Sequence, residues 1–410
     1  MSYVTIHSWS ERKGTQERKE RGWNMAKKYC FFTANYLPHL GGVEIYTKYI
    51  AKALVNSGAE VTIVTSGESK KVEREEDEGI KMIKVPSIQL CNGRLPIIRY
   101  QHSFRKFDAF IKQCNYDLVV VQTRYYPLSL YGAAYARKKG IPCILLDHST
   151  AHIDFGSVLI NIGFEVYEHF MTAFLKKAKC DFYGVSQACS RWLEHFHVHA
   201  KGVLYNSVDG GIAKKAVSKD VYQKYQIPEN SRIILYAGRL IREKGIEKLV
   251  KAVLQLCDRY PDLCLAVAGD GDLYGQLSKS TEGNGHFKWL GKLCHEDIFD
   301  LMKISSIFCL PTDYPEGFPT SVLEAGLCKC YVITTTAGGS KELITGSEYG
   351  TIMEQGLSED ALKDRIQYIL DHPEEQKNAV ENCYNRVMEQ FTWEKRAEEL
   401  ERIVRTKEGC

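Results

Sequence analysis

Twice along this chain a short run of β-branched and aromatic residues ends in a glycine-bearing loop and gives way to an amphipathic helix, a rhythm that few folds accommodate. In the first half, Cys30-Phe31-Phe32-Thr33 leads to Gly41-Gly42, and a helical pattern starts near Val43 with Ile45, Tyr49, Ala53 and Leu54 on one face. Gly58 ends it, and the β-branched run 61–65 reads as a buried strand. Strands over 118–122 and 141–146, with a helix over 126–139 between them, continue the alternation. A polar stretch at 206–231 interrupts it. The rhythm restarts with a strand over 232–237, the loop 238–245 and a helix over 246–257, followed by strands at 263–268, 287–290, 307–310 and 331–335. Such alternation predicts an α/β fold of parallel, doubly wound sheets, and the restart predicts two Rossmann-like domains facing a central cleft. The length of 410 residues agrees, at about 150 residues per domain. The expected bounds are 29–207 together with a returning amphipathic helix in 392–410 for the first domain, and 208–391 for the second.

Composition narrows the function classes. The net charge of +3 gives no global argument for nucleic acid. No stretch approaches the roughly 18 consecutive apolar residues of a membrane-spanning helix. Residues 1–28 read as a disordered basic leader (Arg12, Lys13, Arg18, Lys19, Arg21) without the apolar core of a secretory signal, and Met25 offers an alternative start. The 14 cysteines are scattered, with Cys328 and Cys330 closest and no Cys/His set at zinc spacing. Buried, reduced thiols in a cytosolic enzyme are expected.

Chemistry-bearing residues fall at strand ends. Glu316 and Glu324, eight positions apart, bracket Gly317-Phe318-Pro319-Thr320-Ser321. Pro319 suits a helix start, and a helix over 320–327 would aim the amides of Gly317, Phe318, Thr320 and Ser321 at an anion. Two acceptors would then flank one phosphate site, although a capped surface helix with two solvated carboxylates reads the same residues. Arg239 and Lys244, five apart after a strand, suit a diphosphate, or pair with Glu243 and Glu247 as surface charge. His148 ends a strand in Leu-Leu-Asp-His-Ser, at the sheet edge facing the other domain. Gly41-Gly42 before a helix admits a phosphate or a simple turn, and lacks the third glycine of a dinucleotide fingerprint. Asp270-Gly271-Asp272 is a literal D-x-D, read as a tight turn because it follows a strand directly.

Together these motifs resemble the retaining nucleotide-sugar glycosyltransferases of family four (glycosyl transferases group 1), which have the GT-B fold. The resemblance runs from about Cys30 to the C-terminus, through Gly41-Gly42-Val-Glu44, His148, Asn206-Ser-Val-Asp209, the loop 238–245, the segment 316–324 and Ala337-Gly-Gly-Ser-Lys-Glu342. It implies that Arg239 and Lys244 hold the donor diphosphate, with Gly41 and Gly42 against the phosphates. Glu324 would accept the ribose hydroxyls and Glu316 the donor sugar, near the amides of the 317–320 loop. The loop to Leu293 would pass the base, and His148 would sit near sugar and acceptor. It also implies a C-terminal helix crossing back to the first domain. Ser207 stands where the family has glycine, so a positive φ there would carry a cost.

The expected activity is transfer from a UDP- or GDP-sugar to a hydroxyl of a glycan or lipid-linked acceptor in surface polysaccharide or glycolipid synthesis, with no essential metal or cofactor and no nucleic acid partner. The alternatives are a silent sugar-nucleotide-binding partner subunit or a GT-B epimerase; a phosphorylase would need a longer chain. Basic and aromatic residues interleave at helical spacing over 94–112, and an aromatic stretch over 160–174 precedes Lys176-Lys177. Both raise the expectation of a cytoplasmic protein attached to an anionic inner membrane face, against the reading of packed helices.

Overall fold

The computed structural model describes residues 26–408 except Leu40, Cys91, Asn92, Arg94 and Lys219, so the leader expectation lies outside the described residues over 1–25. The first sheet has nine strands. Their order is β3 (Glu73–Asp77), β4 (Ile80–Leu90), β2 (Glu60–Gly67), β1 (Lys28–Thr33), β6 (Leu118–Gln122), β7 (Cys143–Asp147), β8 (Asp181–Gly184) and β9 (Gly202–Val203), with β5 (Leu95–Ile98) paired to β4. All pairings are parallel except those of β3 and β5 with β4. The second sheet runs β12 (Phe287–Gly291), β11 (Leu263–Ala268), β10 (Arg232–Ala237), β13 (Ile307–Leu310), β14 (Tyr331–Thr335) and β15 (Thr351–Met353), parallel throughout.

Central strands of such sheets are covered on both faces, which explains their unbroken apolar runs. In β1 the alternation is visible residue by residue. Cys30 and Phe32 pack with Phe104, Phe107, Leu128 and Ala133 on one face, while Tyr29 and Phe31 meet Tyr46, Ile50 and Leu54 of the Gly42–Asn56 helix on the other. Each such fully buried side chain contributes about 1.5–3 kcal/mol. The last helix, Trp393–Glu408, returns to this first core through Trp393, Ala397, Leu400 and Val404. Trp393 meets the Tyr46 ring at 5.0 Å.

The order of each sheet reverses direction once. In the first, the chain moves outward from β1 through β2 and then returns to β6; in the second, it moves from β10 through β12 and returns to β13. Loops leaving the carboxyl ends of the two strands at such a point diverge and leave a crevice. The two chain crossings between the sheets run side by side: the Val208 amide donates to Phe391 O at 2.9 Å, and the Trp393 amide donates to Val208 O at 3.2 Å.

Several sequence expectations change here. The segment 94–112 is not one helix: β5 takes its first part, and the His102–Ile111 helix turns Phe104, Phe107 and Ile111 into the core. Phe104 and Phe107 are therefore packing groups, while Tyr100 is exposed. The edge pair β3 and β4 adds an antiparallel hairpin outside the expected rhythm, turned at Glu78-Gly79 with φ of +47° and +80°. Ser207 does not adopt a positive φ, so the anticipated backbone cost does not arise; its hydroxyl donates to Tyr205 O at 3.2 Å instead. The twelve described cysteines are free, and all but Cys114 and Cys294 are buried.

Candidate active site

The loops after β10 and β13 meet at the reversal point of the second sheet. Gly245 makes that meeting possible: its φ is +73°, and a Cβ there would lie 2.0 Å from the Pro311 carbonyl oxygen. The turn Arg242–Lys244 is thereby pressed toward the β13 loop. Lys244 Nζ contacts Glu316 Oε1, with the two side chains only 12% and 15% exposed. The guanidinium of Arg239 lies 4.8 Å from the centre of the Tyr314 ring and Lys244 Nζ lies 5.1 Å from it, so one aromatic ring serves two cations. The Tyr236 hydroxyl donates to Arg239 O at 2.8 Å.

The Glu316–Gly317–Phe318 backbone is clamped from the first domain. Thr150 Oγ1 donates to Glu316 O at 3.1 Å, Ser186 Oγ to Gly317 O at 2.7 Å, and Asn206 Nδ2 to Phe318 O at 3.0 Å. From the second domain, the Gly339 amide donates to Gly317 O at 3.1 Å. With these carbonyls engaged, the amides of Gly317, Phe318, Thr320 and Ser321 have no acceptor among the described residues. Pro319 is the cap residue of the Thr320–Leu327 helix, at φ −63°. Free amides ahead of a helix start form a site for an anion.

His148 reaches this loop through its backbone. A Cβ on Gly317 would lie 2.5 Å from the His148 carbonyl oxygen, so the two domains approach more closely than a side chain permits. The His148 ring meets Tyr46 edge-on at 5.2 Å, and its Nε2 lies 2.8 Å from Gln122 Oε1. A carbonyl oxygen only accepts, so Nε2 carries the hydrogen and Nδ1 keeps its lone pair. Burial pushes the His148 pKa down to about 3, leaving a neutral ring at ordinary pH.

Glu324 sits one turn into its helix and accepts from His295 Nε2 at 2.8 Å. That hydrogen bond raises the His295 pKa against the opposing effect of burial. Burial and then the Glu324 charge raise the Tyr49 phenol on the Gly42–Asn56 helix, which places this carboxylate near the opposite wall of the cleft. Leu293 is half-buried against the second core beside His295. At Gly41-Gly42, a Cβ on Gly42 would meet open space, whereas one on Gly41 would lie 2.5 Å from Glu44 Oε2. Glu44 thus folds back over its own helix start, and burial raises its pKa. Asp270 Oδ1 accepts from the Gly271 amide at 2.8 Å in a tight turn.

Lys244, Glu316, Gly317 and the His148 backbone therefore come together, and Arg239 joins through Tyr314. Among the described residues, no hydrogen bond or ion pair joins Glu324, Leu293 or Gly41-Gly42 to Lys244. The sequence did not single out Tyr314, Gln122, Thr150, Ser186 or His295. Gln122 ends a recognised strand, while Tyr314, Thr150 and His295 each lie two residues from a recognised signal, Glu316, His148 and Leu293. A cavity of about 650 Å³ also opens between the domains, with Thr150, Gln187 and Tyr205 on one wall and Gly338, Lys341 and Glu342 on the other. Its walls include none of Arg239, Lys244 and Glu324.

Residues 40–210 match the family described as Glycosyltransferase Family 4, and residues 218–386 match Glycosyl transferases group 1. An uncharacterized glycosyltransferase of Methanocaldococcus jannaschii is 24% identical over 387 residues, covering 92% of this chain and 97% of its own. A human phosphatidylinositol N-acetylglucosaminyltransferase subunit is 23% identical over 387 residues, covering 91% of this chain and 75% of its own. Anabaena HepE, solved in complex with UDP-glucose, has a TM-score of 0.68 at 19% identity, over 92% of this chain and 99% of that one.

Proposed function

Because the chain belongs to the group 1 glycosyltransferases of family four and has the GT-B fold, we propose that it moves a hexosyl group from a UDP- or GDP-sugar to an acceptor hydroxyl with retention of anomeric configuration. The observation that carries this reading is the meeting of Lys244 and Glu316 beneath the clamped, amide-presenting 317–321 backbone at the sheet reversal point. Lys244 keeps two N–H donors beyond its contact with Glu316, and these together with Arg239 neutralise the departing diphosphate. The free amides of Gly317 and its neighbours receive the charge that develops on the phosphate oxygens. Glu316 takes a hydroxyl of the transferred sugar, and the Glu324 oxygen not bound to His295 takes the ribose. The loop to Leu293 borders the base, and Gly42 leaves room for phosphate at the opposing helix start.

In the reaction the bond from the anomeric carbon to the diphosphate oxygen breaks as the acceptor oxygen attacks from the same face. The acceptor proton passes to the leaving phosphate, so no strong protein base is needed. Neutral His148 supplies a hydrogen-bonding wall for sugar and acceptor rather than a cationic acid. Protein cations supply the positive charge, so the reaction is metal-independent in this reading.

A glycan or lipid-linked acceptor fits a second feature. On the Val158–Lys177 helix, Val158, Ile162, Val166, Phe170 and Phe174 recur every four residues and are exposed, with Lys176 and Lys177 at its end. No described helix is long and apolar enough to cross a membrane. This stripe seats the protein peripherally on the cytoplasmic face of an anionic membrane, where lipid-linked substrates of surface polysaccharide or glycolipid synthesis are presented. The human relative is named for a phosphatidylinositol substrate, which supports a lipid acceptor here.

The test is donor turnover. Release of UDP or GDP from a panel of sugar nucleotides should fall by about 10²–10³ in kcat for Lys244→Ala. Glu316→Ala should likewise lose turnover. Binding without turnover in the presence of acceptor extracts, or turnover indifferent to both substitutions, would sink the reading.

A further inference from the structure

Three imidazoles and a carboxylate converge on the first domain, on elements outside the donor-side loops. His152 lies in the loop after β7. Glu165 and His169 stand one turn apart on the Val158–Lys177 helix, and His195 lies in the turn Leu193–Phe196. His195 Nε2 is 3.1 Å from His152 Nε2 and 3.2 Å from His169 Nε2, and Glu165 Oε1 is 3.5 Å from His152 Nε2. All four ligand atoms lie within 4.8 Å of one another. Donors bound tetrahedrally to Zn²⁺ at about 2.0–2.1 Å stand about 3.3–3.4 Å apart, so these separations already approximate the edges of such a shell.

The hydrogen inventory points the same way. His152 Nδ1 lies 2.9 Å from Glu168 Oε2, and the same carboxylate oxygen accepts from Arg124 at 2.7 Å. Glu168 is 1% exposed and Arg124 is fully buried, so this carboxylate is fixed in place. It draws the His152 hydrogen to Nδ1 and leaves the Nε2 lone pair aimed into the cluster. His195 Nε2 in turn faces two other Nε2 atoms, and a single N–H can serve only one of them. A cation at the centre satisfies all three lone pairs together. Trp192 stacks on the His195 ring at 4.9 Å and 6°, and Phe196 packs against His169 at 4.7 Å, which restrains the rings in this arrangement.

We propose that His152, Glu165, His169 and His195 bind one divalent transition ion of the zinc class. Three imidazole nitrogens and one carboxylate oxygen suit zinc and its neighbours, and disfavour Mg²⁺ and Ca²⁺, which take oxygen ligands. Four protein ligands close the shell, so the ion is structural. It ties the loop after β7 to the helix beside it. The same loop carries His148 and the Thr150 hydroxyl that holds Glu316 O, so the ion steadies the first-domain side of the cleft. The donor reading does not depend on it.

The test uses the full chain without an affinity tag, stripped with chelator and titrated with Zn²⁺, with bound metal measured by elemental analysis and Co²⁺ followed by its tetrahedral absorption. One equivalent per chain should bind and raise Tm, as for any ligand selective for the folded state. His169→Ala and His195→Ala, both at exposed positions, should retain their circular dichroism and weaken Zn²⁺ binding at least ~10-fold. Cys294→Ser, removing the exposed thiol, should leave binding unchanged. Failure of folded wild-type protein to hold an equivalent would overturn the proposal. So would undiminished affinity in the His169→Ala/His195→Ala double variant, loss of binding in Cys294→Ser, or an equal Tm rise with Mg²⁺.

Discussion

His148 has opposite consequences for activity and for acid stability. Its folded-state pKa of about 3 lies below the ordinary value near 6.5, so between them the folded protein binds fewer protons than the unfolded chain. The stability it contributes is whole above about pH 6.5 and drains as pH falls toward the folded value, by up to about 1.4 kcal/mol per pH unit. His148→Gln should therefore flatten the decline of urea midpoints between about pH 6.5 and 4 while lowering transfer activity. Equal acid slopes in variant and wild type would mean that the ring is hydrated. A buried ion pair bears on stability at neutral pH. Arg124 is fully buried, bonded to Asp147 at 2.5 Å and Glu168 at 2.7 Å, with its guanidinium 4.0 Å from the centre of the Phe196 ring. Arg124→Met strands two buried carboxylates and should cost about 3–5 kcal/mol by urea denaturation; a loss under 1 kcal/mol would mean that water reaches the site. Nothing in the local sequence announced Arg124, because its partners lie 23 and 44 positions away. Lys244 and Glu316 were legible because each sits next to glycines at the end of an obvious strand. Tyr314 and His295 were not, since a ring beneath two cations and a histidine clasping a carboxylate are defined by chain segments that only the fold brings together.

At the scale of elements, the 316–318 loop behaves as a joint between domains. Three first-domain side chains, Thr150, Ser186 and Asn206, take its successive carbonyls, and the His148 backbone occupies the space that a Gly317 side chain would need. Gly317→Ala should force the strand-end loop after β7 away from the amide cradle. The expected outcome is a stability loss of about 1–3 kcal/mol together with a fall in kcat greater than that in donor affinity, since the donor-side cations remain in place. Unchanged kinetics in a folded Gly317→Ala protein would show that the two loops separate without consequence. The central strands and this helix start were readable because burial on both faces leaves long apolar runs, and because proline and glycine punctuate the 316–320 segment. The edge was not. In β3 every residue is exposed, Glu73-Arg-Glu-Glu-Asp77, so no hydrophobic period marks it as a strand; its pairing with β4 decides it. The 94–112 segment left lipid surface and packed helix both open for a related reason, and the packed helix is what 102–111 forms. Helical spacing of aromatics is the same whether they face lipid or core, and Phe104 and Phe107 face the core.

Over the whole molecule, the described chain passes between the two sheets at two adjacent crossings, Val208 pairing with Thr392 as a short bridge. The last helix, anchored by Trp393 on Tyr46 and Tyr49, ties the far end of the chain to the first domain. That arrangement fixes where the first domain meets its surroundings, and its exposed apolar stripe decides what it meets. Leu159 is 83% exposed and Phe170 59% exposed, while Glu168, Met171 and Leu175 on the other side of the same helix are buried. A helix whose inner face is already satisfied gains nothing in the folded monomer from an outer row of Val, Ile and Phe. Burying that row in lipid removes apolar surface from water at about 25 cal/mol per Å², and the lysines at its end add attraction to anionic headgroups that salt screens. Leu159→Glu/Phe170→Glu should therefore abolish flotation with anionic vesicles and leave Tm within about 1–2 °C, because exposed positions away from packing change stability by about 0.5 kcal/mol or less. Wild-type flotation should weaken with added salt yet persist in part, since the apolar share of the attachment is not screened. Protein that stays with the soluble fraction in the wild type, or a double variant that floats as well as its parent, would detach the stripe from membranes and leave a protein partner as its occupant.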